Sequence, residues 1–328
     1  MRVARHHGRY ALRVRHYDVV LPALPACHPA RRIGTIVHLS DLHDAAESVR
    51  GGLDAIVSEV RGADPDLIAF TGDLFDRHDG DVSPALAFLR RLSAIAPTFV
   101  VSGNHDRNPI DPSGRQLTFE EVRRMAASHP DRVLSMTSMW AELVGEIEAT
   151  GATPLDNGVR TLSLHGVQVV LCGARDVWPL VPACPERWSS SLERLAEGAA
   201  LATEPADQGA AVTTLAKPVL LTHRPEHAEL YARLGFGLAL AGHTHGGQVR
   251  LPLIGALRVP NQRRRPYYDL GMFDVPARRA QRDGAGPRQG AMTLIVSSGL
   301  GCSELPRINC PPEVGVVALW TGSPSRPS

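Results

Sequence analysis

The chain has 328 residues, of which 43% are hydrophobic, so it can bury one large core or two small ones. Its formal net charge of +1 gives no footprint for non-specific nucleic-acid binding. The five cysteines are scattered without a CxxC pair, which argues against a disulfide framework or a structural zinc knot and favours a reducing compartment.

Residues 1–30 predict a short N-terminal arm. Met1–Arg15 is basic but lacks the apolar run of a signal peptide, and no stretch of the chain has the roughly 18 consecutive apolar residues of a membrane span. Tyr10–Leu21 alternates enough to form an edge strand, and prolines at 22, 25 and 29 break regular structure after it. We therefore expect a cytoplasmic protein, with peripheral contact to a membrane left open.

From residue 33 the chain alternates between strands and helices. Leu53, Ile56, Val57 and Val60 share one helical face, and Ser83 is the expected N-cap of a second helix that has Pro84 in its first turn. The apolar runs predict three buried strands, at Ile33–Leu39, Leu67–Thr71 and Thr98–Ser102. This order predicts βαβ units in an α/β fold.

The second half is less regular. Two helices are predicted, at Leu117–Ser128 and Met139–Ala149, and residues 179–217 resemble an insertion over the sheet. Further strands are expected at Val159–Leu164, Val167–Gly173, Val219–Thr222, Leu238–Ala241 and Leu294–Ser298. We predict one domain over residues 31–321 and a tail over residues 322–328.

A polar cluster follows each of five predicted strands. Ligands of open α/β sheets bind beyond the carboxyl ends of the strands, so the five clusters should converge on one site. In chain order they are Ser40-Asp41-Leu42-His43, Gly72-Asp73-Leu74-Phe75-Asp76, Gly103-Asn104-His105-Asp106, Thr222-His223 and Gly242-His243-Thr244-His245. Their oxygen and imidazole donors suit Mn, Fe or Zn, and none of the clusters contains a cysteine.

The same blocks resemble the signature of the calcineurin-like metallophosphoesterase superfamily, which is D-x-H, G-D-x-x-D, G-N-H-D/E, a lone histidine and G-H-x-H in that order. All five blocks are intact here, between Asp41 and His245. The resemblance implies a four-layered α/β/β/α sandwich. It also implies a hydrolase with two metal ions.

The resemblance further implies a role for each residue of the motifs. Asp41, His43 and His245 would bind the first metal ion, Asn104, His223 and His243 the second, and Asp73 would bridge them. His105 would protonate the leaving group, with Asp76 orienting its imidazole. The physical logic is that a metal pair clamps phosphate and activates water, while the leaving oxygen still needs a proton.

Two C-terminal segments resemble a narrower bacterial phosphodiesterase branch. They are HTHGGQVRLPLIG from His243 and SGLGCSELPRINCPPEV from Ser298. That branch includes enzymes associated with membranes or cell walls and UDP-diacylglucosamine hydrolases, so the resemblance implies a small-molecule or lipid-linked phosphodiester substrate. Many of its members carry a membrane segment or a twin-arginine signal, and this sequence as given shows neither.

Other polar and apolar residues have simpler interpretations. His38 is expected in the core, and Asp106 is expected to order its loop. Arg77 is a candidate for clamping a substrate phosphate, with a solvated loop arginine as the alternative. We expect Leu251, Leu253 and Ile254 to pack in the core, with a lipid-facing loop as the alternative, and the basic run of residues 262–265 to be either a solvated loop or a contact for an anionic group.

Three functions compete at this point. Hydrolysis of a phosphodiester or pyrophosphate is favoured, and a phosphomonoesterase, including a protein phosphatase, is the alternative enzyme. A non-catalytic metal-binding scaffold is the alternative of a different class, although all seven ligands and His105 are present. The natural substrate, the metal and the oligomeric state are left open.

Overall fold

A computed structural model describes residues 10–24, 31–43, 45–76, 81–176, 178, 185–203, 213–259, 268–277, 291–302 and 305–322. Its strands are β1 Arg13–Val20, β2 Ala23–Leu24, β3 Arg32–Leu39, β4 Leu67–Thr71, β5 Thr98–Val101, β6 Thr153–Pro154, β7 Gly158–Leu164, β8 Val167–Gly173, β9 Thr213–Leu215, β10 Val219–Leu221, β11 Leu238–Ala241, β12 Arg250–Leu251, β13 Gly255–Ala256, β14 Gly271–Val275, β15 Met292–Val296 and β16 Glu313–Trp320. Its α-helices are α1 Ala45–Ser48, α2 Gly52–Gly62, α3 Ser83–Ser93, α4 Phe119–Ser128, α5 Pro130–Leu134, α6 Met139–Ala149, α7 Pro185–Thr203 and α8 Ala228–Arg233, and Pro225–His227 and His245–Gly247 are short 3-10 turns.

The strands form two large sheets and one small hairpin. The first sheet has the order β1-β16-β3-β4-β5-β6, and β3 to β6 run parallel. The second has the order β14-β15-β11-β10-β8-β9-β2, with β7 paired to β8, and its centre from β8 to β15 is also parallel. β12 and β13 form the separate hairpin. The parallel centres bring the carboxyl ends of neighbouring strands to one edge of each sheet.

The two sheets pack face to face. Alternate residues of each strand point to opposite faces, so Ile36 and Ala69 of the first sheet meet Leu171, Leu221 and Leu240 of the second in one buried cluster. The other face of the first sheet, which includes Val37, Ile68 and Phe70, packs against α2, α3 and α6. The other face of the second sheet packs against α7 and α8. The four-layered α/β/β/α arrangement is thereby confirmed.

Most predicted elements are present within a few residues of their expected bounds. Strands β4, β8 and β11 and helix α6 have the predicted bounds. Helix α4 begins two residues later than expected because Thr118 and Glu121 form a capping box before its first turn. The predicted N-cap at Ser83 is wrong, since Ser83 is already helical and donates its backbone N–H to the Asp81 carboxylate at 2.9 Å.

Two segments belong more closely to the sheets than the sequence indicated. Within the predicted N-terminal arm, β1 pairs along its whole length with β16, and β2 joins the second sheet. Within the predicted insertion, Trp188, Leu192 and Leu195 of α7 form part of the outer helical layer. Both segments therefore contribute to the packed layers.

The expectation that Leu251, Leu253 and Ile254 pack in the core is wrong. They lie on the β12–β13 hairpin, and Leu253 is fully exposed. Among the residues that the structure describes, no helix is both long enough and apolar enough to cross a bilayer.

Candidate metal centre

The five polar clusters meet where the carboxyl ends of the two sheets come together. β3, β4 and β5 deliver Asp41 with His43, Asp73 and Asn104, and β10 and β11 deliver His223 and the pair His243 and His245. Backbone contacts lock the clusters to one another. Asp41 receives a hydrogen bond from the backbone N–H of His243, and its own N–H donates to the carbonyl of Gly72 at 2.9 Å. The site therefore spans both sheets.

One group of donor atoms consists of Asp41, His43 and His245. The Asp41 Oδ1 atom lies 3.4 Å from His245 Nε2 and 4.0 Å from His43 Nε2. The two imidazole rings are stacked, with their centroids 5.1 Å apart. The three ligand atoms all lie within 4.8 Å of one another, so a single cation could bind them.

A second group surrounds the Nε2 atom of His223. Three donor atoms, Asn104 Oδ1, Asp73 Oδ2 and His243 Nδ1, each lie 3.2 Å from it. The other ring nitrogen of His223, Nδ1, donates to the backbone oxygen of Thr71 at 2.8 Å. That hydrogen bond fixes the orientation of the ring and leaves the Nε2 atom to act as a metal ligand, which is the usual arrangement of a metal-binding histidine.

Asp73 lies between the two groups. Its Oδ2 atom is 3.2 Å from His223 Nε2 and 3.5 Å from His43 Nε2. Its Oδ1 atom accepts a hydrogen bond from the backbone N–H of His105 at 2.9 Å. One carboxylate thus faces both sets of donors.

The backbone around these side chains is strained and closely packed. Five of the seven proposed ligands have left-handed φ values: Asp41 at 53°, His43 at 37°, Asp73 at 53°, His243 at 70° and His245 at 50°. Such conformations persist where the surrounding structure over-determines them, commonly at functional sites. Gly103 and Gly242 have no room for a side chain, since a Cβ there would collide with Asp73 and Asp41 respectively.

The charges of the site call for cations. Asp41 and Asp73 are both buried; burial raises the pKa of Asp41, whereas His223 offsets the effect of burial on Asp73 and holds the pKa of Asp73 well below its usual range. Although burial lowers the pKa of buried imidazoles, the carboxylates raise the pKa of His43 to about 9 and that of His223 to about 10. In addition, both ring nitrogens of His43 are buried without a hydrogen-bond partner among the described residues. Metal ions would balance the buried carboxylates and would bind the ring nitrogens that have no hydrogen-bond partner. The residues therefore fit a metal centre.

His105 and Asp76 lie on the open side of the cluster. Their side chains are 21% and 27% exposed, whereas that of Asp73 is 2% exposed. His105 Nδ1 lies 3.3 Å from the backbone oxygen of Asp76 and 3.7 Å from its carboxylate, which also lies 3.6 Å from His43 Nδ1. Asp76 is therefore placed between two imidazoles and not beside His105 alone. Burial lowers the pKa of His105, and the Asp73 and Asp76 carboxylates oppose that shift.

Asp106 orders the loops, as the sequence indicated. It is fully buried, and its carboxylate accepts hydrogen bonds from the backbone N–H groups of Leu74, Phe75 and Gly103 at 3.3, 3.0 and 2.8 Å. Burial and the nearby Asp73 raise the pKa of Asp106 to about 7. One side chain thus joins the loop that carries Asp73 to the loop that carries Asn104.

Several residues that support the site were not singled out by the sequence analysis. Arg224 is buried, pairs with Asp176 at 3.0 Å and lies 3.3 Å from His243 Nε2. Its one local signal was its position directly after the strand-end His223. Phe119, the first residue of α4, meets the His105 ring edge to face at 5.3 Å, a contact that no local pattern indicated.

Arg77 was the arginine predicted as a candidate phosphate clamp, and Arg107 is a further arginine near the motifs. Arg107 is engaged by Asp156 and by Ser102 Oγ, so it is already neutralised. Arg77 lies outside the described residues. His38, expected in the core, is fully buried beside Thr71, with its Nε2 atom 2.8 Å from the threonine hydroxyl.

Comparison with known proteins places this geometry in a family. The model of the calcineurin-like phosphoesterase family matches residues 34–247, the region that holds every proposed ligand. The chain is 26% identical over 291 residues to the metallophosphoesterase YkuE of Bacillus subtilis, covering 87% of this chain and 78% of that protein. It is 27% identical to the phosphodiesterase YaeI of Escherichia coli, covering 78% of this chain and 70% of the relative. Identity to the UDP-2,3-diacylglucosamine pyrophosphatase LpxG of Chlamydia muridarum is 26%, over 86% of this chain and 82% of the relative.

The match covers both the strands that position the site and the side chains that converge there. The chain belongs to the calcineurin-like phosphoesterase family and is a metal-dependent phosphoesterase.

Proposed function

We propose that this protein hydrolyses a phosphodiester or pyrophosphate bond at a centre of two metal ions. The observation that carries the proposal is the position of Asp73, whose Oδ2 atom faces His43 of one donor group and His223 of the other. In this assignment Asp41, His43 and His245 hold one ion. Asn104, His223 and His243 hold the second, and Asp73 bridges them. Mn, Fe and Zn all suit this set of nitrogen and oxygen donors.

Metal ions in such a pair supply Lewis acidity toward phosphate and acidify water. The leaving-group oxygen still needs a proton when its bond to phosphorus breaks. His105 is assigned this role because it lies on the open side of the cluster. Its Nδ1 atom faces the Asp76 backbone oxygen, which leaves Nε2 to donate the proton. Asp76 positions the ring, and its carboxylate favours the protonated imidazole.

A diester, which carries one negative charge, is favoured over a monoester by the cations around the site. A monoester dianion calls for uncompensated arginines, but Arg107 and Arg224, two arginines near the site in the described part of the chain, are each paired with carboxylates. The relatives named a phosphodiesterase and a pyrophosphatase point the same way. A lipid-linked or other small-molecule diester is therefore the proposed substrate class, and Arg77 is a further candidate for contact with its phosphate.

The proposal is tested by steady-state kinetics on matched nitrophenyl esters. The protein is stripped of metal, reconstituted separately with Mn, Fe and Zn, and assayed on bis-p-nitrophenyl phosphate, p-nitrophenyl phosphate, nucleotides and a UDP-sugar lipid. We expect kcat/KM for the diester to exceed that for the monoester with the best metal. A clear monoester preference would indicate a phosphomonoesterase instead, and metal binding without turnover on any substrate would indicate a scaffold.

A further inference from the structure

Most of the exposed large apolar side chains of the described chain lie on one surface. Six of the nine are on the β12–β13 hairpin or on the segment beside it: Leu251, Leu253, Ile254, Leu257, Leu305 and Ile308, named here the hairpin patch. Leu253 is 108% exposed and Ile254 is 65% exposed. Contiguous apolar surface of this kind marks an interaction site, unlike apolar residues scattered singly.

Hydrogen bonds hold the two parts of the patch together. The backbone N–H of Arg250 donates to the carbonyl of Ile308 at 3.0 Å, and the N–H of Ile308 donates to the carbonyl of Gln248 at 2.8 Å. The Gln248 side chain accepts from the N–H of Leu305 at 3.0 Å. The patch is therefore one surface built from two segments of the chain.

The tip of the hairpin has a backbone conformation that its sequence does not favour. Leu253 has φ of 66°, in the left-handed region that glycine and asparagine adopt readily and leucine does not. A leucine that is both strained and fully exposed contributes nothing to the core. Left-handed conformations of bulky residues are common at functional sites, so the tip is a candidate for a contact outside the protein.

The charge of this part of the chain bears on the chemistry of its partner. Residues 246–268 contain five arginines and no aspartate, glutamate or lysine. Arg250 is neutralised by Asp269 at 2.6 Å, but Arg258, two residues after β13, is exposed. Exposed apolar side chains beside the exposed Arg258, within a stretch of sequence that has a net positive charge, fit the interface of a bilayer that contains anionic lipids. A protein partner would need a surface of its own that combines apolar area with negative charge.

We infer that the hairpin patch docks this protein on an anionic membrane surface. The hairpin follows directly from the metal-binding loop, since β12 begins five residues after His245. Arg250 Nη1 donates to the carbonyl of Gly246 at 2.8 Å, and Thr244 Oγ1 donates to the carbonyl of Asp269. Insertion of the tip would hold the metal centre next to the lipid headgroups. The docking does not depend on which ester the centre hydrolyses.

Vesicle co-sedimentation of the full chain tests this inference. Binding is measured in EDTA, so that it is independent of catalysis, to vesicles of phosphatidylglycerol with phosphatidylcholine and to vesicles of phosphatidylcholine alone. We expect stronger binding to the anionic vesicles. Leu253→Glu combined with Ile254→Glu should lower that binding about 10-fold or more, because each leucine-sized side chain buried contributes about that factor.

Two further variants separate docking from folding. Leu201→Glu changes another exposed leucine, 70% exposed on α7, and should leave vesicle binding unchanged. Leu253→Gly removes the side chain where the backbone favours glycine, so it should weaken vesicle binding without lowering the melting temperature. All variants should retain the wild-type rate on bis-p-nitrophenyl phosphate.

Three outcomes would overturn the inference. One is equal binding of wild type and the double variant to anionic vesicles. Another is equal binding of wild type to both kinds of vesicle, which would remove the role of anionic lipid. The third is a wild-type dimer by light scattering that the double variant converts to a monomer while neither binds vesicles, which would assign the patch to a second copy of the chain.

Discussion

Asp106→Asn is expected to destabilise the protein although it changes only one atom of a residue that is not a proposed ligand. In the wild type, Asp106 Oδ2 accepts from the N–H groups of Leu74 and Gly103, and Oδ1 accepts from that of Phe75. An asparagine can place its one oxygen at either position. Its amide group then faces at least one buried backbone N–H, so that two donors confront each other.

The cost follows from that geometry. One backbone donor and the new amide group lose partners, at about 1–3 kcal/mol each. Part of this is offset because the substitution removes a carboxyl whose burial already raises its pKa to about 7. We therefore expect about 2–4 kcal/mol of lost stability, which at about 2 °C per kcal/mol for a chain of this size lowers the melting temperature by about 4–8 °C.

The assay is thermal unfolding in EDTA, followed by metal analysis after reconstitution. Asp274→Asn is the matched control, since Asp274 is exposed on β14 and its change should stay within about 0.5 kcal/mol. A melting temperature of Asp106→Asn equal to that of the wild type in EDTA would refute the reasoning. Loss of one metal ion with unchanged apoprotein stability would instead make Asp106 a ligand.

Three further predictions concern the metal centre. Asp73→Asn should lower metal content at both sites, which elemental analysis would measure; loss of one ion with the other retained would contradict a bridging role. His105→Ala should keep the metal content and lower turnover about 10²–10⁴-fold. That loss should shrink as the leaving group becomes more acidic, and an equal loss across leaving groups of very different pKa would remove His105 from the acid role. Phe119→Ala should change the pH profile of turnover more than KM, because the ring contacts His105; a change in KM alone would make it a substrate contact.

The central strands could be predicted from the sequence because they are buried on both faces. β4, β8 and β11 are short apolar runs whose periodicity and flanking residues are local properties. β16 was not predicted, although its residues are mostly buried, and neither were β14 and the five-residue α5. β16 lies between β1 and β3, so its pairing joins opposite ends of the chain. That pairing is a property of the whole sheet and not of any local window.

The convergence of the candidate ligands was predictable for a different reason. Each candidate ligand lies shortly after the end of a strand, so the order of the motifs along the chain also gives the position of these side chains at the sheet edge. Contacts between the residues that support the site cannot be read from neighbouring positions in the sequence. Arg224 and Asp176, for example, come from loops after β10 and β8 and meet only because those strands are neighbours in the second sheet.

The hairpin shows how an apolar run can be misleading. Residues 251–257 resemble a core segment by composition, but Leu253 and Gly255 adopt left-handed φ values of 66° and 85° that turn the chain away from the sheets. The candidate ligands His243 and His245 lie a few residues earlier in the same loop. Cys310 Sγ, from the segment that also carries Ile308, donates to the His245 carbonyl. Ligands and apolar tip are thus joined by short, hydrogen-bonded backbone. Because this connection is short, the hairpin tip and the candidate metal centre should keep a constant relative position. A contact made by the tip would therefore fix the orientation of the centre relative to the surface that the tip binds.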